Sequence, residues 1–419
     1  MRIAFANWSN RRVGGAETYV ENAIPALCDR GHDVSLWTET VRPADRDAIV
    51  MPAGCASWSV DSIGLDRALS ELAEWRPDLI YCQGLHHPTI ERRVLDVVPA
   101  VFFAHVYHGT CISGAKTFTR PVVTPCDRRF GLGCLANYFP RRCGGRSPVT
   151  MVQQFLLQRN RLALLSRYEA IVTLSVHMQR EYRRHGLSAT CVYEVTRSEP
   201  TPDKILTVAR HGQPDSWNLL SVGRLDRLKG VRELLLALSS VADGLGRQIN
   251  VTVAGDGADR TSCEALATRV SDADSRLHVA FCGWLDRAEL NRQFAASDLL
   301  VLPSVWPEPF ALVGLEAARH SLPVAAFAVG GIPDWLVSGR NGVLAPGDPP
   351  TTEGLANAIV ACLKDPEKYR QLRTGAASIR SDWAFNAHIE RLLNVFRRVC
   401  RPADEDLASR SRVETVQAG

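Results

Sequence analysis

The feature that most limits this chain is a repeated alternation of short apolar runs with stretches of helical spacing, interrupted once and then resumed. Apolar runs at 2–6, 34–37, 78–82 and 100–104 are separated by segments at 16–29, 65–75 and 89–97 whose apolar residues recur every three or four positions. Such runs fit strands covered on both faces, and their alternation with helices predicts a parallel, doubly wound sheet. After position 148 the pattern returns, with helices at 152–167 and 176–185 and strands at 170–174 and 191–195. A second series begins at 219–222 and continues with strands at 249–254, 277–281, 299–302 and 324–327. At 419 residues the chain exceeds one ordinary core. Two α/β domains of roughly 150–200 residues each are therefore expected.

Composition places the boundaries. Pro200, Pro202 and Pro214 fall in a polar stretch, giving an N-terminal domain at 1–198, a linker at 199–216 and a C-terminal domain at 217–380. Helical patterns at 352–364, 366–379 and 384–399 follow, the last belonging to a closing helix at 381–400, and the polar tail 401–419 is expected to be disordered. With 46% hydrophobic and 22% charged residues this is a globular composition, and a net charge of +4 argues against nucleic acid as a partner. No apolar run reaches the roughly 18 residues of a membrane span, and the N-terminus enters a strand at once. A cytoplasmic protein is expected, with peripheral contact at the inner face of the membrane left open by its many arginines. Oligomeric state is not legible.

Several glycines and charges fall where a doubly wound sheet presents ligands. The run 299–302 leads through Pro303, Ser304, Trp306 and Pro307 to Glu308, Pro309 and Phe310, and then to a helical pattern carrying Glu316. Ligands of open parallel sheets bind beyond the C-terminal strand ends, so both carboxylates are candidates to hold one. Gly223 to Gly230 leaves another strand of the same sheet. Its glycines admit close approach, while the Arg224 fork and the Lys229 point charge suit a diphosphate. Gly14 and Gly15 open the first helix, turning its positive end toward the cleft. Gly255, in Gly255-Asp256-Gly257, makes a third tight turn at a strand end. Alone, each turn reads equally well as a solvated loop.

In this order, Gly-Gly-Ala-Glu at 14–17, Val-Gly-Arg-Leu-x-x-x-Lys-Gly at 222–230, Val-Ala-Gly-Asp-Gly at 253–257 and Pro-Glu-Pro-Phe-x-x-x-x-x-Glu at 307–316 resemble the family-4 retaining glycosyltransferases of GT-B fold. The resemblance covers roughly residues 1–400. It implies an α/β protein of two Rossmann-like domains facing across a cleft, the acceptor on the first and the nucleotide sugar on the second, with the C-terminal helix returning to the N-terminal domain. It also implies that Arg224 and Lys229 bind the donor diphosphate, Glu308 the donor-sugar hydroxyls and Glu316 the ribose. Gly223, Gly255, Pro309, Phe310 and the turn Val329-Gly330-Gly331-Ile332-Pro333 would complete the donor site. Family members carry His-Asp after the strand matching 100–104. Here the text is His105-Val106-Tyr107-His108, so His105 is the first choice for a histidine near the sugar and His108 the alternative. The family's Pro-Asn-Gly turn is missing from 195–200.

The activity implied is retaining, metal-independent transfer of a sugar from a UDP-, GDP- or ADP-sugar to the hydroxyl of a glycan, lipid-linked or small-molecule acceptor. Competing readings are another GT-B enzyme, such as an epimerase or phosphorylase, and a non-catalytic nucleotide-sugar-binding protein. Asp272-Ala273-Asp274 has the Asp-x-Asp form used by metal-dependent transferases, but it follows a helix in a polar turn and reads as solvated surface.

The interruption at 105–148 is rich in Gly, Pro, Cys and Arg. Loops of this length are usually functional or held by something. Cys111, Cys126, Cys134 and Cys143 have 14, 7 and 8 residues between successive members and no Cys-x-x-Cys. A structural Zn²⁺, an iron–sulfur cluster, unbound thiols and disulfides all remain open, and the lack of an export signal favours the first three. Arg120, Arg128, Arg129, Arg141, Arg142 and Arg146 either face an anionic or lipid-linked acceptor at the cleft mouth or are simply solvated.

Overall fold

The computed structural model describes residues 1–11, 15–41, 48–193, 215–382 and 385–400. Its N-terminal part contains strands β1 (Arg2–Ser9), β2 (Asp33–Thr40), β3 (Ser57–Ser59), β4 (Leu79–Cys82), β5 (Ala100–Ala104), β6 (Thr117–Phe118), β7 (Thr124–Pro125), β8 (Ala170–Thr173) and β9 (Ala189–Cys191). Seven of them form a sheet of order β3-β2-β1-β4-β5-β8-β9 in which every neighbour is parallel. Side chains alternate across it. Phe5, Tyr81 and Phe103 enter one core, and Ala4, Ile80 and Phe102 enter the other. Burial on both faces explains why these strands read as unbroken apolar runs.

The second sheet is built from β10 (Ser216–Val222), β11 (Gln248–Ala254), β12 (Leu277–Gly283), β13 (Leu299–Leu302), β14 (Val324–Phe327) and β15 (Gly342–Ala345). Its order is β12-β11-β10-β13-β14-β15, again wholly parallel. The chain reverses direction across each sheet between β1 and β4 and between β10 and β13. At such switch points successive loops diverge and leave a crevice beyond the strand ends. The expected helix at 89–97 is shorter, Pro88–Val94, and the edge strands β3 and β15 were not anticipated. The linker, as far as residue 214, the turn at 195–200 and the tail 401–419 lie outside the described residues.

The last helix, Phe385–Val399, returns to the N-terminal domain as expected. Its His388 places Nε2 at 2.9 Å from the Tyr19 hydroxyl and Nδ1 at 2.6 Å from the Tyr193 carbonyl. Phe396 meets the Tyr81 ring edge-on at 4.9 Å, and Glu390 pairs with Arg30 at 3.0 Å. Nearer the crevice, Ser175 Oγ donates to the Pro309 carbonyl at 2.6 Å, Val176 N–H to Asp334 Oδ2 at 2.6 Å, and the Tyr107 hydroxyl to the Pro307 carbonyl. These bonds join the two halves around the loop that follows β13.

The 105–148 segment is ordered from within. The short hairpin β6–β7 is antiparallel, a helix spans Leu132–Tyr138, and Arg141 lies over the Phe118 ring at 4.5 Å. At its root, Lys116 Nζ sits 2.7 Å from Glu181 Oε1, with both side chains no more than 4% exposed, and also donates to the Arg128 carbonyl. A buried charge left without its partner is costly. Lys116→Met is therefore expected to lose about 3–5 kcal/mol of stability. Lys116→Met combined with Glu181→Leu should recover part of that loss. Urea denaturation of the two variants checks this, and equal destabilisation by both would contradict the pairing.

Candidate active site

Between the C-terminal edges of the two sheets lies a cavity of about 860 Å³. From the second domain, Gly223, Arg224, Lys229 and Gly255 line it, together with Glu308, Pro309, Phe310 and Glu316. Gly15 and His105 line it from the first domain. The structure thus brings these residues together, whereas the turn 329–333 and the alternative histidine, His108, are not among the residues that line the cavity. Gly14 lies outside the described residues.

Two loops make the charged floor. In the loop after β10, the Asp226 carboxylate accepts from the N–H groups of Leu228 and Lys229 and caps a short helical turn, Arg227–Lys229. Gly230 then turns with φ of 71°, and a Cβ there would sit 1.8 Å from the Pro303 carbonyl oxygen. Only glycine allows that approach. The Val305 N–H donates to the Leu228 carbonyl at 2.9 Å, fastening this loop to the one after β13. As a result Lys229 Nζ reaches Glu308 Oε1 at 2.7 Å and lies over the Trp306 ring at 5.4 Å. Ser304 Oγ donates to the same carboxylate oxygen at 2.6 Å. Glu308 is only 5% exposed, whereas Arg224 extends into the open cavity, 3.5 Å from Asp226.

The helix that carries Glu316 starts later than its expected beginning at Phe310. Helical geometry begins only at Val313, because Ala311 takes a left-handed φ of 66°. The Phe310 carbonyl is held by Trp335 Nε1 at 2.7 Å. The bend buries Phe310 and brings Leu312 within 4.0 Å of the Cβ position of Gly15, at the start of the first helix, Gly15–Cys28. Burial pushes the Glu316 carboxyl up from its ordinary range, opposed by Arg287, whose Nη1 is 3.6 Å away, and by Arg319. Gly330 takes φ of 60° where a Cβ would meet the Glu308 carbonyl oxygen at 2.1 Å, and Gly331 N–H donates to that oxygen.

His105 is half-buried at the end of β5, with Nε2 2.8 Å from Gln83 Oε1 and its ring against Phe103 and Tyr19. His108 is not at the cavity. It lies buried beside Phe102, with Nε2 3.8 Å from Glu91 Oε2.

Three further readings are corrected or narrowed. None of the six loop arginines is among the residues that line the cavity. Asp272 and Asp274 are also away from it, Asp274 being bound by Arg276 at 2.6 Å. Cys111, Cys126, Cys134 and Cys143 are free thiols, and among the described residues no three His, Cys, Asp or Glu side chains are grouped to hold a metal ion. The thiols do gather. Burial pushes Cys143 up to about 12, with Cys111, Cys134 and Cys126 as further causes. The buried Lys116–Glu181 pair stands at the root of the same loop.

Sequence reasoning missed Ser304 and Trp306 as partners of the charged floor, and it missed Trp8, Glu17, His86 and Trp284, which also line the cavity. The position of Ser304 and Trp306 beside Glu308 was an available signal. Trp8 and His86 carried none, being brought together only by the pairing of β1 with β4.

Two parallel α/β domains with their strand ends facing one cleft, and a C-terminal helix crossing back, define a GT-B fold. Residues 13–195 match the family described as Glycosyltransferase Family 4, and residues 207–378 match Glycosyl transferases group 1. The chain is 32% identical over 403 residues to D-inositol 3-phosphate glycosyltransferase 1 of Catenulispora acidiphila, covering 92% of this chain and 91% of that relative. Among solved structures it resembles a sucrose-phosphate synthase from Thermosynechococcus elongatus, with a TM-score of 0.67 at 21% identity over 95% of this chain and 99% of that one. It also resembles Anabaena HepE in complex with UDP and glucose, with a TM-score of 0.64 at 19% identity over 94% of this chain and 98% of that one. The chain belongs to the family-4 glycosyltransferases of GT-B fold and is a glycosyltransferase. Among the described residues no helix is long and apolar enough to cross a membrane.

Burial and the nearby His388 push His105 down to about 3, and burial holds both His177 and His388 at about 4. In the unfolded chain each would titrate near ~6.5. The unfolded state therefore binds more protons between those values, so stability is full above pH ~6.5 and falls as pH drops toward 4. On going from pH 7.5 to pH 5 the protein should lose about 2 kcal/mol per histidine. Urea titrations at the two pH values test this, and unchanged stability would contradict it.

Proposed function

We propose that the protein transfers a hexosyl group from a nucleotide diphosphate sugar to an acceptor hydroxyl with retention of anomeric configuration, using side-chain cations in place of a catalytic metal. The observation that carries this reading is the convergence of Arg224 and Lys229 with Glu308 on the second wall of the cleft. Cleavage of the anomeric C–O bond leaves its electron pair on the diphosphate. Fixed cations where that charge develops lower the barrier. Arg224 and Lys229 supply them, and the start of the Gly15–Cys28 helix adds its positive end from across the cleft. The chain's Asp-x-Asp run at 272–274 is turned away from the site, which favours the metal-independent reading.

Glu308 would accept donor-sugar hydroxyls and Glu316 those of the ribose. The Lys229–Glu308 pair, 2.7 Å apart, makes the phosphate cation and the sugar carboxylate a single unit. In front-face transfer the acceptor oxygen bonds to the anomeric carbon on the side the diphosphate leaves, and the departing phosphate oxygen takes the acceptor proton. A separate protein base is then not required, which agrees with an His105 held neutral by burial. His105 would instead contact the donor sugar as a neutral hydrogen-bonding group. Because Anabaena HepE is solved with UDP and glucose, UDP-glucose is the first donor to test, followed by GDP- and ADP-sugars.

Thermal-shift titration with UDP, UDP-glucose and the GDP and ADP analogues gives the discriminating measurement, since a donor far above its Kd raises stability by a few kcal/mol. Glu316→Ala is expected to weaken the shift from the nucleotide alone. Glu308→Ala should retain that shift and lose the extra part contributed by the sugar. Lys229→Met should slow turnover about a hundredfold, with the Lys229→Met, Glu308→Ala double variant little worse than either single. Binding without nucleoside diphosphate release, even with cell extract as acceptor, would favour a non-catalytic binding protein. Equal loss of both parts of the shift in Glu308→Ala and Glu316→Ala would overturn the split roles.

A further inference from the structure

The segment 105–166 carries an outward face to which no role has been assigned. It holds eight arginines and one lysine against a single acidic residue, Asp127, whereas the whole chain is only +4, so the rest of the chain is net acidic. Lys116 is taken up by its buried pair with Glu181, while Arg120, Arg128, Arg129 and Arg146 are exposed. The backbone gathers part of this charge. The Thr119 and Arg120 N–H groups donate to the Arg141 carbonyl at 3.0 and 3.2 Å, and Thr119 Oγ1 donates to the Arg142 carbonyl at 2.7 Å. Arg120 and Arg142 therefore stand on adjoining stretches of chain, and Arg120, together with Arg146, pushes the Arg142 pKa down. Among the described residues no carboxylate pairs with Arg120, Arg128, Arg129, Arg142 or Arg146. Cations gathered without a counter-charge repel one another, and an external anion relieves that repulsion.

Apolar side chains are interleaved with these charges at helical spacing. On the helix Pro148–Leu165, Val149, Val152 and Leu156 are exposed and recur every three or four positions, and exposed Arg159 continues the same line. On the helix Leu132–Tyr138, Leu132 is 76% exposed, and exposed Phe139 falls on the same side about two turns later. The two helices are neighbours, joined where Phe130 meets Phe155 with ring centroids 5.1 Å apart. The other side of the longer helix is fixed to the domain. Leu164 and Leu165 are buried, Gln158 Oε1 accepts from the Gly109 N–H at 2.8 Å, and Arg161 Nη2 donates to the His86 carbonyl at 3.3 Å. With that side committed, the apolar stripe is held outward. Because His86 lines the cavity, the helix that bears the stripe also backs the first wall of the cleft.

We propose that this face docks on an anionic lipid bilayer, its apolar stripe entering the interface and its arginines meeting lipid phosphates. Charge alone does not select this partner, since exposed guanidinium groups suit any polyanion. A nucleic-acid backbone gives the arginines phosphates yet leaves Leu132, Val149 and Leu156 in water. A second copy of the chain covers the apolar residues but sets two arginine clusters against each other. A bilayer with anionic headgroups answers both, because apolar side chains gain by entering the acyl boundary and each basic side chain adds to the attraction. Attachment of this kind is peripheral and weakened by salt. It places the wall that carries His86 beside the membrane. The inference goes beyond the transferase reading and does not depend on it.

The test is co-sedimentation of the full chain with vesicles of phosphatidylcholine alone and with vesicles that contain about a third phosphatidylglycerol. Binding to the anionic vesicles is expected to be at least about tenfold tighter than to the neutral ones, and to fall several-fold between about 0.1 M and about 0.5 M NaCl. The Val149→Ser, Leu156→Ser pair should weaken binding to anionic vesicles about tenfold. The Arg142→Gln, Arg146→Gln pair should do the same through charge, about tenfold again. All four side chains project from the surface, so thermal melting of both variants should match the wild type. Equal binding to neutral and anionic vesicles, no vesicle binding, or binding unmoved by either pair would overturn the proposal. It would also be overturned by tighter binding to a DNA duplex than to anionic vesicles, or by a dimer in light scattering that the Val149→Ser, Leu156→Ser pair converts to monomer.

Discussion

The contact on which the rest of the cleft depends is the pairing of Lys229 with Glu308. It joins two loops that leave neighbouring strands at the point where the second sheet reverses direction. Each partner needs its own scaffold. Lys229 is set by the Asp226 cap and by the close passage of Gly230 over Pro303, while Glu308 is set by Ser304 and by the Gly330–Gly331 turn. A carboxylate that is 5% exposed is expensive to bury alone, so the lysine and the serine hydroxyl are the condition for its being there. What this local electrostatic requirement produces is a cation and an acceptor of hydrogen bonds held a fixed distance apart beside an open cavity.

The same loop is also the seam between the domains. Tyr107 and Ser175 from the first domain bond the carbonyls of Pro307 and Pro309, on either side of Glu308, and Asp334 bonds the backbone of Val176. Prolines at 307 and 309 have no N–H to satisfy, so at these positions the backbone takes part only through the carbonyls that Tyr107 and Ser175 bond. Any change in the angle between domains must therefore pull on the backbone flanking Glu308. Through His388 and Tyr19, the closing helix adds a second tie next to His105. Cleft geometry and site geometry are mechanically one property in this fold.

Much of this was legible in the sequence, and the reason differs by element. The central strands were readable because both of their faces are buried, which leaves runs such as Leu299–Leu302 with no polar interruption. Edge strands β3 and β15 were not, since three or four residues beginning with Ser or Gly carry no such run. Lys229 and Glu308 were found because their spacing survives as local motifs at strand ends. The helix carrying Glu316 was legible, but its start at Val313 rather than Phe310 was not, because an alanine in left-handed backbone has no sequence signature. The Trp8–His86 stack was invisible for a deeper reason: the rings are 4.4 Å apart in space, but Trp8 lies near the end of β1 and His86 in the loop after β4, and only sheet order brings them together. The cysteine loop was left open between metal, cluster, unbound thiols and disulfides: its four thiols offered a conspicuous pattern and are free in the structure, whereas the buried pair at the loop's root, Lys116 against Glu181, looks in sequence like any pair of surface charges.

The placement of charge on the second wall fits where charge would move in the proposed transfer. A nucleotide diphosphate would arrive negative and depart more so, and Arg224 and Lys229, the described lysine and arginine that line the cavity, stand on the wall that also carries Glu308 and Glu316. The acceptor oxygen would give up its proton to the departing phosphate, so the proposed step needs no further cation to take it. Because Lys229 is tied to Glu308 at 2.7 Å, a displacement of the cation that would meet the phosphate also displaces the carboxylate that would meet the sugar. Phosphate and sugar would then be held in register by one contact rather than by two independent ones.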